Sequence, residues 1–542
     1  MPTPPSRGPS GWRQFHQPAG IHWDERHPDS AWLRDRARLP LPAIDLGSVL
    51  VLRGEYRPDR EASGLEAALP TLAVRSTGGG RVALDAPRPG PWELRVTVPR
   101  GKSAELRLAL GGVAFTNFLA WIGRLTGIAS LQRFRAQRGN RQLRLIAIET
   151  ENGETVFDFS RRDAPFSADL YRRHFRPAMN IVGFLTADLG VGESARCMVR
   201  AADAAGIDTA LVALRLPCKN RHGDPTYEAR LGESNPHPVN VLHVDPPATR
   251  DLVHHHGRAF FAGRHNVGYF AWELPEFPDA WTPYLDFYNE IWCPSEFTRR
   301  AIEQKSPVPV IRMPHAISFD RPAMPQAELR ARFGLPTGPF LFLVLFDFHS
   351  YAVRKNPAAA LAAFRESGLG PPEAGLVVKV QNAAGSPADF RELQAAIADL
   401  PGATIIDRTL SRAETYGLQS ACDCLVSLHR SEGFGLVVAE CMYLGKPVIS
   451  TNWSATAEFV APENGCPVDF ELVTLERSHG PYSRGGTWAQ PSVGHAAEWM
   501  RRLAADRALS ARLGAAARSS IETRFSPAAI GALYRRRLEN IA

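Results

Sequence analysis

From about Arg176 onward, short apolar runs alternate with Ala-rich segments whose apolar residues recur at helical spacing. This alternation predicts strands and helices in turn, which is the pattern of parallel α/β architecture. Strands are predicted in a first series at 179–185, 238–244, 265–270 and 290–293, and in a second at 340–346, 375–380, 403–406, 423–428 and 447–450. Two such series in tandem predict two facing, doubly wound Rossmann-like domains, with a ligand cleft between them at the carboxyl ends of the strands.

The chain before residue 176 differs from these series in composition and periodicity. Residues 1–40 are rich in Pro, Arg, Asp and His without periodicity, which predicts a loosely ordered arm. Residues 41–175 alternate with period two between turn residues, which predicts a mainly-β accessory domain, a small β-sandwich or related module. Within it, Phe115–Phe134 has helical spacing and several Arg residues, so it is either a helix or irregular stretch that covers the sheet or a basic amphipathic helix on a membrane surface. The Rossmann-like domains are then expected at 176–325 and 326–542, with the last helices packing back on the first of them.

Composition narrows the class of protein. Of the 542 residues, 44% are hydrophobic and 22% charged, as in soluble globular proteins, and no apolar run approaches the ~20 residues of a membrane helix. With no secretory signal, we expect a cytoplasmic protein, with peripheral contact at the inner face of the membrane left open. The seven cysteines are scattered, which predicts reduced core thiols and no zinc site. The net charge of +7 is spread along the chain, and it favours a phosphate-bearing substrate or an anionic lipid surface over nucleic acid.

The most informative segment runs from His429 to Ser450. Its pattern predicts a strand, a Gly-rich turn, a helix, a Gly stop and a second strand. Gly433 and Gly435 let backbone amides approach a ligand at the start of the helix, where the unpaired N–H groups favour an anion. Glu432 precedes this helix and Glu440 lies about two turns inside it, so both carboxylates can face one cleft and accept hydrogen bonds from hydroxyl groups.

This segment resembles the E-x7-E motif of retaining glycosyltransferases, and the chain from about Asn180 onward resembles glycosyltransferase family 4 of the GT-B fold. By this resemblance, Glu440 holds the ribose hydroxyls of a nucleotide, and Glu432 binds hydroxyls of the transferred sugar. The amides of Phe434, Gly435 and Leu436, next to Gly433, would contact the donor sugar or its phosphates. The resemblance implies a nucleotide diphosphate sugar, with GDP-mannose and UDP-glucose both plausible.

A second element, Phe346–Pro357, follows the first strand of the second domain. A diphosphate leaving group needs a cation to neutralise its developing charge. The resembled family places an Arg and a Lys in this loop, and Lys355 matches the Lys. The Arg position falls near His349, so whether Arg354, His349 or another residue supplies the second charge stays open.

A third element, Asp188–Arg196, is predicted to be a glycine loop before a helix that begins at Ser194. It lacks the third glycine of the dinucleotide-binding pattern G-x-G-x-x-G, which argues against an oxidoreductase. The resembled family has a matching loop that closes over the donor phosphate or contacts the acceptor. Gly190 and Gly192 are therefore donor-site candidates, and Arg196 is a weaker one.

Strand ends in the first domain supply candidates for contact with the acceptor or the donor sugar. Trp272 and Glu273 follow one predicted strand, and His243 ends the preceding one. The triplet His254–His256 is expected at a helix end or in a loop without a ligand role, because three consecutive side chains cannot all reach one ion. No D-x-D triplet occurs in the chain, so we expect no metal and no other cofactor.

The resemblance implies a retaining hexosyltransferase of mannose or glucose type, and the absence of a D-x-D triplet agrees with metal-independent chemistry. By the resemblance, its acceptor is a glycan or a lipid-linked oligosaccharide of exopolysaccharide or lipopolysaccharide biosynthesis. The alternatives are a non-catalytic GT-B sugar-binding or scaffold protein, a phosphorylase or sucrose-type synthase of the same fold, and a nucleic-acid-binding protein. The last is suggested by charge alone.

Overall fold

The structure, a computed structural model, describes most of the chain. The described residues are 19–23, 29–41, 46–57, 71–76, 81–85, 88–98, 104–110, 140–162, 167, 169–170, 176–214, 216–218, 220–262 and 264–541. The predicted helix at Phe115–Phe134 lies outside them. No helix within these ranges is both long and apolar enough to cross a membrane.

Among the described residues of the N-terminal part, nine strands form one antiparallel sheet in the order β5-β4-β7-β2-β8-β3-β6, with β1 paired to β2 and β9 to β8. The strands are β1 Ala19–His22, β2 Ala31–Leu41, β3 Val49–Tyr56, β4 Thr71–Ser76, β5 Arg81–Asp85, β6 Gly90–Thr97, β7 Ala104–Leu110, β8 Asn140–Thr150 and β9 Thr155–Asp158. The Ser76 hydroxyl donates to the carbonyl of Thr97, which joins two strands that are not neighbours in this order. Strands β4 and β6 therefore approach each other, although several strands separate them in the sheet.

Two of these strands, β1 and β2, fall within the segment predicted to be a loosely ordered arm. That prediction is wrong for these residues. Along β2, Arg36 and Arg38 are exposed while Ala37 and Leu39 are buried. The alternation of a strand with one buried face is present, but the arginines on its outer face give the segment the composition of a disordered one.

The first Rossmann-like domain contains a parallel sheet of seven strands, in the order β12-β11-β10-β13-β14-β15-β16. Its strands are β10 Ala178–Gly183, β11 Asp208–Ala213, β12 Leu231–Gly232, β13 Val239–His243, β14 His265–Tyr269, β15 Glu290–Cys293 and β16 Val310–Arg312. Its α-helices are α1 Gly190–Ala204, α2 Thr249–His256 and α3 Glu296–Glu303. The His triplet ends α2, as predicted. The strand order reverses between β10 and β13, where ligands of such sheets bind.

The second Rossmann-like domain contains a parallel sheet in the order β19-β18-β17-β20-β21-β22. Its strands are β17 Phe340–Asp347, β18 Ala374–Gln381, β19 Ala403–Asp407, β20 Cys424–Ser427, β21 Val448–Thr451 and β22 Cys466–Val468. Its helices are α4 Gln326–Phe333, α5 Ala352–Lys355, α6 Pro357–Ser367, α7 Pro387–Ala398, α8 Arg412–Ala421, α9 Leu436–Tyr443, α10 Val493–Ala505 and α11 Arg507–Arg524. Helices cover both faces of the sheet, so β17 is almost continuously apolar and buried.

Two further elements join the two domains. A ribbon of β23 Phe470–Thr474 and β24 Thr487–Pro491 is inserted between β22 and α10. The last helix, α12 Pro527–Ile541, packs against α1 of the first domain. There Arg537 forms an ion pair with the buried Glu290, and the Tyr534 hydroxyl donates to the carbonyl of Pro314 at 3.2 Å.

Candidate functional site

The glycine turn after β20 is shaped by contacts that exclude side chains. Gly435 has a φ of +93° and precedes α9, and a Cβ there would lie 2.5 Å from Cγ2 of Thr456. Gly433 lies against the first domain, since a Cβ there would be 3.0 Å from the carbonyl oxygen of Trp272. The Ser295 hydroxyl also crosses from the first domain and donates to the Gly433 carbonyl at 2.7 Å. The start of α9, with its unpaired amides, therefore lies at the junction of the two domains.

Glu432 lies in this turn between two cations. Its carboxylate pairs with Nζ of Lys355 and with a guanidinium nitrogen of Arg354 at 3.2 Å, and the residue is 8% exposed. Burial alone would raise the pKa of Glu432, but the two cations outweigh it and hold the pKa at about 2. Glu432 is therefore an anion at neutral pH, oriented by cations on both of its oxygens.

The two cations come from the short helix α5, which follows β17. Tyr351 precedes it with a φ of +62°, and its carbonyl accepts hydrogen bonds from the amides of Arg354 and Lys355. Arg354 is buried and also donates to the carbonyl of Ser431 at 2.8 Å. Burial lowers the pKa of Arg354, but the groups around it, including Glu432, raise it above its ordinary value.

Of the candidates for the second charge, Arg354 is the one beside Glu432. His349 lies elsewhere: its Nδ1 is 3.2 Å from Oδ1 of Asn220 in the first domain. Its backbone amide donates to the carboxylate of Asp347. The contact of Arg354 or Lys355 with a phosphate stays a prediction.

Glu440 points from α9 toward the neighbouring helix α8. One carboxylate oxygen pairs with the guanidinium of Arg412, and the other accepts from Nε2 of Gln419 at 3.1 Å. Glu440 is 3% exposed. Sequence reasoning missed both partners, because nothing in the local pattern of Arg412 or Gln419 shows that α8 packs beside α9.

The glycine loop of the first domain differs from its prediction. The helix begins at Gly190 instead of Ser194, so Gly190 and Gly192 lie in its first turn. A Cβ on Gly192 would lie 2.5 Å from the carbonyl oxygen of Phe184 and 2.7 Å from that of Ala187, so close packing requires this glycine. A Cβ on Gly190 would meet nothing within 4 Å, which leaves space at the start of the helix.

Arg196 is buried and belongs to an ion-pair cluster. Its Nε lies 2.9 Å from Glu193 and 3.2 Å from Asp224, while its guanidinium also donates to the carbonyls of Leu185 and Ala187. It therefore fixes the loop before α1 and does not project into the cleft. Glu193 is fully buried, and its pKa stays low because Arg412, Arg200 and Arg196 outweigh its burial.

Two of the three sugar-contact candidates are enclosed in the protein. His243 is fully buried between Ser194 and Met198 and stacks on Tyr269, and burial lowers its pKa to about 3. Trp272 is 2% exposed and donates its indole N–H to the carbonyl of Glu276. Neither side chain is open to a sugar, so the prediction that His243 or Trp272 contacts the acceptor or the donor sugar is wrong. A polar or aromatic residue at a strand end faces the cleft only if no neighbouring segment covers it.

Glu273 does lie at the site. One of its oxygens is 4.0 Å from the guanidinium of Arg354, and its carbonyl accepts from the Ser431 hydroxyl. The other oxygen accepts from the hydroxyl of Tyr482 at 3.1 Å. Tyr482 comes from the loop of the β23–β24 ribbon, and its ring packs against Trp272. No sequence signal singled out Tyr482, because the contact joins positions more than 200 residues apart.

Part of the second domain is similar to a known protein family. Residues 328–520 match the family model described as Glycosyl transferases group 1. These residues include α5, the glycine turn, Glu432 and Glu440. No curated protein matches the sequence.

Several solved structures are similar to about two-thirds of this chain. HepE from Anabaena, in complex with UDP and glucose, matches with 15% identity and a TM-score of 0.50, over 66% of this chain and 99% of that one. Sucrose-phosphate synthase from Thermosynechococcus elongatus matches with 17% identity and a TM-score of 0.49, over 67% and 99%. A glycosyltransferase from Rickettsia africae matches with 13% identity and a TM-score of 0.49, over 68% and 99%. The similarity to HepE and the two parallel sheets confirm the predicted GT-B fold, and the antiparallel sheet before them confirms the mainly-β region.

Metal binding has no evident site in the part of the chain that the structure describes. No group of three or more His, Cys, Asp or Glu side chains there is arranged to hold an ion. Independence from metal stays a prediction.

Proposed function

We propose that this protein is a retaining glycosyltransferase of family 4 type that transfers a hexose from a nucleotide diphosphate sugar. The observation that carries the proposal is the buried Glu432 carboxylate between Lys355 and Arg354, beside the start of α9 and eight residues before Glu440. The match of residues 328–520 to a glycosyltransferase family supports sugar transfer. The acceptor is a glycan or lipid-linked oligosaccharide, and the pathway is exopolysaccharide or lipopolysaccharide synthesis.

The proposed roles follow from charge and position. Glu440 accepts the ribose hydroxyls, and Glu432 accepts hydroxyls of the sugar. The amides of Gly433 to Leu436 and the positive end of α9 face the diphosphate, and Lys355 with Arg354 neutralises charge that grows as the sugar–oxygen bond breaks. The departing phosphate oxygen takes the proton of the acceptor hydroxyl as the new bond forms on the same face. The site then needs no protein nucleophile, and its contribution is positioning and exclusion of water.

HepE, of similar fold, binds UDP and glucose, which supports a UDP-sugar donor; a GDP-sugar is the other candidate. The protein acts in the cytoplasm, in solution or at the inner face of the membrane.

The test is release of nucleoside diphosphate from UDP-glucose, UDP-galactose and GDP-mannose, with a glycan acceptor mixture and a metal chelator. We expect release from one donor by the wild type and its loss in Lys355→Ala, with Lys305→Ala as the control. Lys305 is partly exposed, and its Nζ pairs with Asp279 and donates to the carbonyl of Phe277, away from Glu432. Equal release by wild type and Lys355→Ala would contradict the assigned role, and release that requires added metal would contradict metal independence.

A non-catalytic sugar-binding protein is the second candidate. It is favoured by one observation: Glu432 and Glu440 both pair with protein cations and are 8% and 3% exposed. Nucleotide binding without release of nucleoside diphosphate from any donor would favour it.

A further inference from the structure

Arg412 covers the carboxylate proposed to hold the ribose. Glu440 has almost no contact with solvent, whereas about a third of the Arg412 side chain is exposed. One Glu440 oxygen is engaged by Arg412 and the other by Gln419. A hydroxyl group therefore reaches Glu440 only if the guanidinium moves.

Arg412 is held by a second set of contacts. The same guanidinium nitrogen lies 2.6 Å from the hydroxyl of Tyr416 and 3.7 Å from a carboxylate oxygen of Glu193 in the first domain. Arg412 thus bridges the two domains, because Glu440 belongs to one and Glu193 to the other. Glu193 does not depend on this bridge, since Arg196 and Arg200 also pair with it at 2.9 and 2.5 Å.

The arrangement leaves polar atoms without partners. Nε of Arg412 and Oε1 of Gln419 are buried and make no hydrogen bond, although both residues flank Glu440. Buried polar atoms are rarely left unpaired in a folded protein. These two unpaired atoms indicate that a polar ligand binds beside Glu440 and supplies their missing hydrogen bonds.

We propose that Arg412 competes with the ribose of the donor for Glu440. When a nucleotide binds, the guanidinium leaves the carboxylate, the ribose hydroxyls take its place, and the bridge to Glu193 breaks. Donor binding is thereby coupled to the contact between the two domains. This inference rests on the proposed function, because it takes Glu440 as the ribose-binding residue.

Competition predicts an unusual direction of effect. A residue that contacts the nucleotide weakens binding when it is removed, whereas a competitor strengthens binding. In Arg412→Met, the dissociation constant of UDP or GDP, measured by isothermal titration, should fall about tenfold, within the usual range of coupling between two events. The control is Arg408→Met, which removes the same charge from the loop before α8. Arg408 is exposed and lies over the ring of Phe333.

A second probe isolates the ribose. The 2′,3′-dideoxy form of the same nucleotide cannot replace Arg412 on Glu440, so it should bind wild type and Arg412→Met equally. Thermal unfolding shows whether Arg412→Met is folded. If it is not, Arg412→Gln is titrated in its place, and the same changes in affinity are expected.

The outcomes separate the two proposals. Unchanged or weaker binding in Arg412→Met, or an equal gain for the dideoxy nucleotide, would overturn the competition. If the wild type, Arg412→Met and Arg408→Met all fail to bind a nucleotide, the proposed function itself is contradicted. Binding by Arg412→Met alone would support the competition.

Discussion

Replacing Glu432 by Gln should lower the stability of the second domain by an amount that depends on pH. The substitution keeps the shape of the side chain but removes the carboxylate that pairs with the buried Arg354 at 3.2 Å, while the Glu273 carboxylate remains at 4.0 Å. The cations hold the pKa of Glu432 at about 2 against an ordinary 4.5. That difference corresponds to about 3 kcal/mol of free energy of unfolding, which agrees with the roughly 3–5 kcal/mol for breaking a buried ion pair.

The sign of the pH dependence follows from the lowered pKa. The contribution of ionised Glu432 is fully present above pH 4.5, the ordinary value, and is lost as the pH falls toward about 2. The stability difference between wild type and Glu432→Gln should therefore be constant near neutral pH. It should shrink as the pH falls below about 4.5, because the unfolded wild type then takes up a proton at Glu432 that the folded protein binds only near pH 2.

The assay is urea unfolding followed by tryptophan fluorescence, at a pH of about 7 and a pH of about 4. Glu463→Gln is the matched control, because Glu463 is exposed in the same domain and its replacement should change stability by less than about 0.5 kcal/mol. A difference below about 1 kcal/mol at neutral pH, or one that grows as the pH falls, would refute this account of Glu432.

Three further outcomes are expected. Gly192→Ala should lower the free energy of unfolding by about 2 kcal/mol, because its Cβ would meet two backbone carbonyls that cannot easily move; an unchanged thermal midpoint would contradict this packing. Arg537→Met should cost about 2–3 kcal/mol, measured by urea unfolding, because Glu290 is 1% exposed and loses its arginine, while the Trp292 indole and His265 stay beside it. Tyr482→Phe should lower the transfer rate more than it raises the KM of the donor, because it removes the hydrogen bond that orients Glu273; equal kinetics would exclude that role.

The α/β part of the fold was predictable because its signals are local. Each central strand, such as Phe340–Asp347, is apolar along its whole length and is followed by a helix with one apolar face. The glycine turn was also predictable, because Gly435 requires a positive φ and precedes a helix that carries Glu440. Strand β2 was predicted to be disordered, because its exposed arginines give the segment a polar composition although the other face of the strand is buried.

Contacts between distant segments were beyond the reach of the sequence. The spacing of Glu432 and Glu440 predicted one carboxylate in the glycine turn and one inside the following helix, but not that Arg412 from another helix covers Glu440. His243 and Trp272 end strands at the correct edge of the sheet, yet neighbouring segments enclose both side chains. Such burial depends on how the domains and the ribbon pack, which a periodic pattern does not encode.

Nucleotide binding to Glu440 variants tests the central claim most directly. Isothermal titration of UDP and GDP should show that one nucleotide binds the wild type, and that Glu440→Gln weakens its binding about tenfold or more, because a charged acceptor of the ribose hydroxyls is lost. Glu463→Gln should bind like the wild type. Equal affinity in wild type and Glu440→Gln would show that the nucleotide lies elsewhere, and would contradict a donor site at the start of α9.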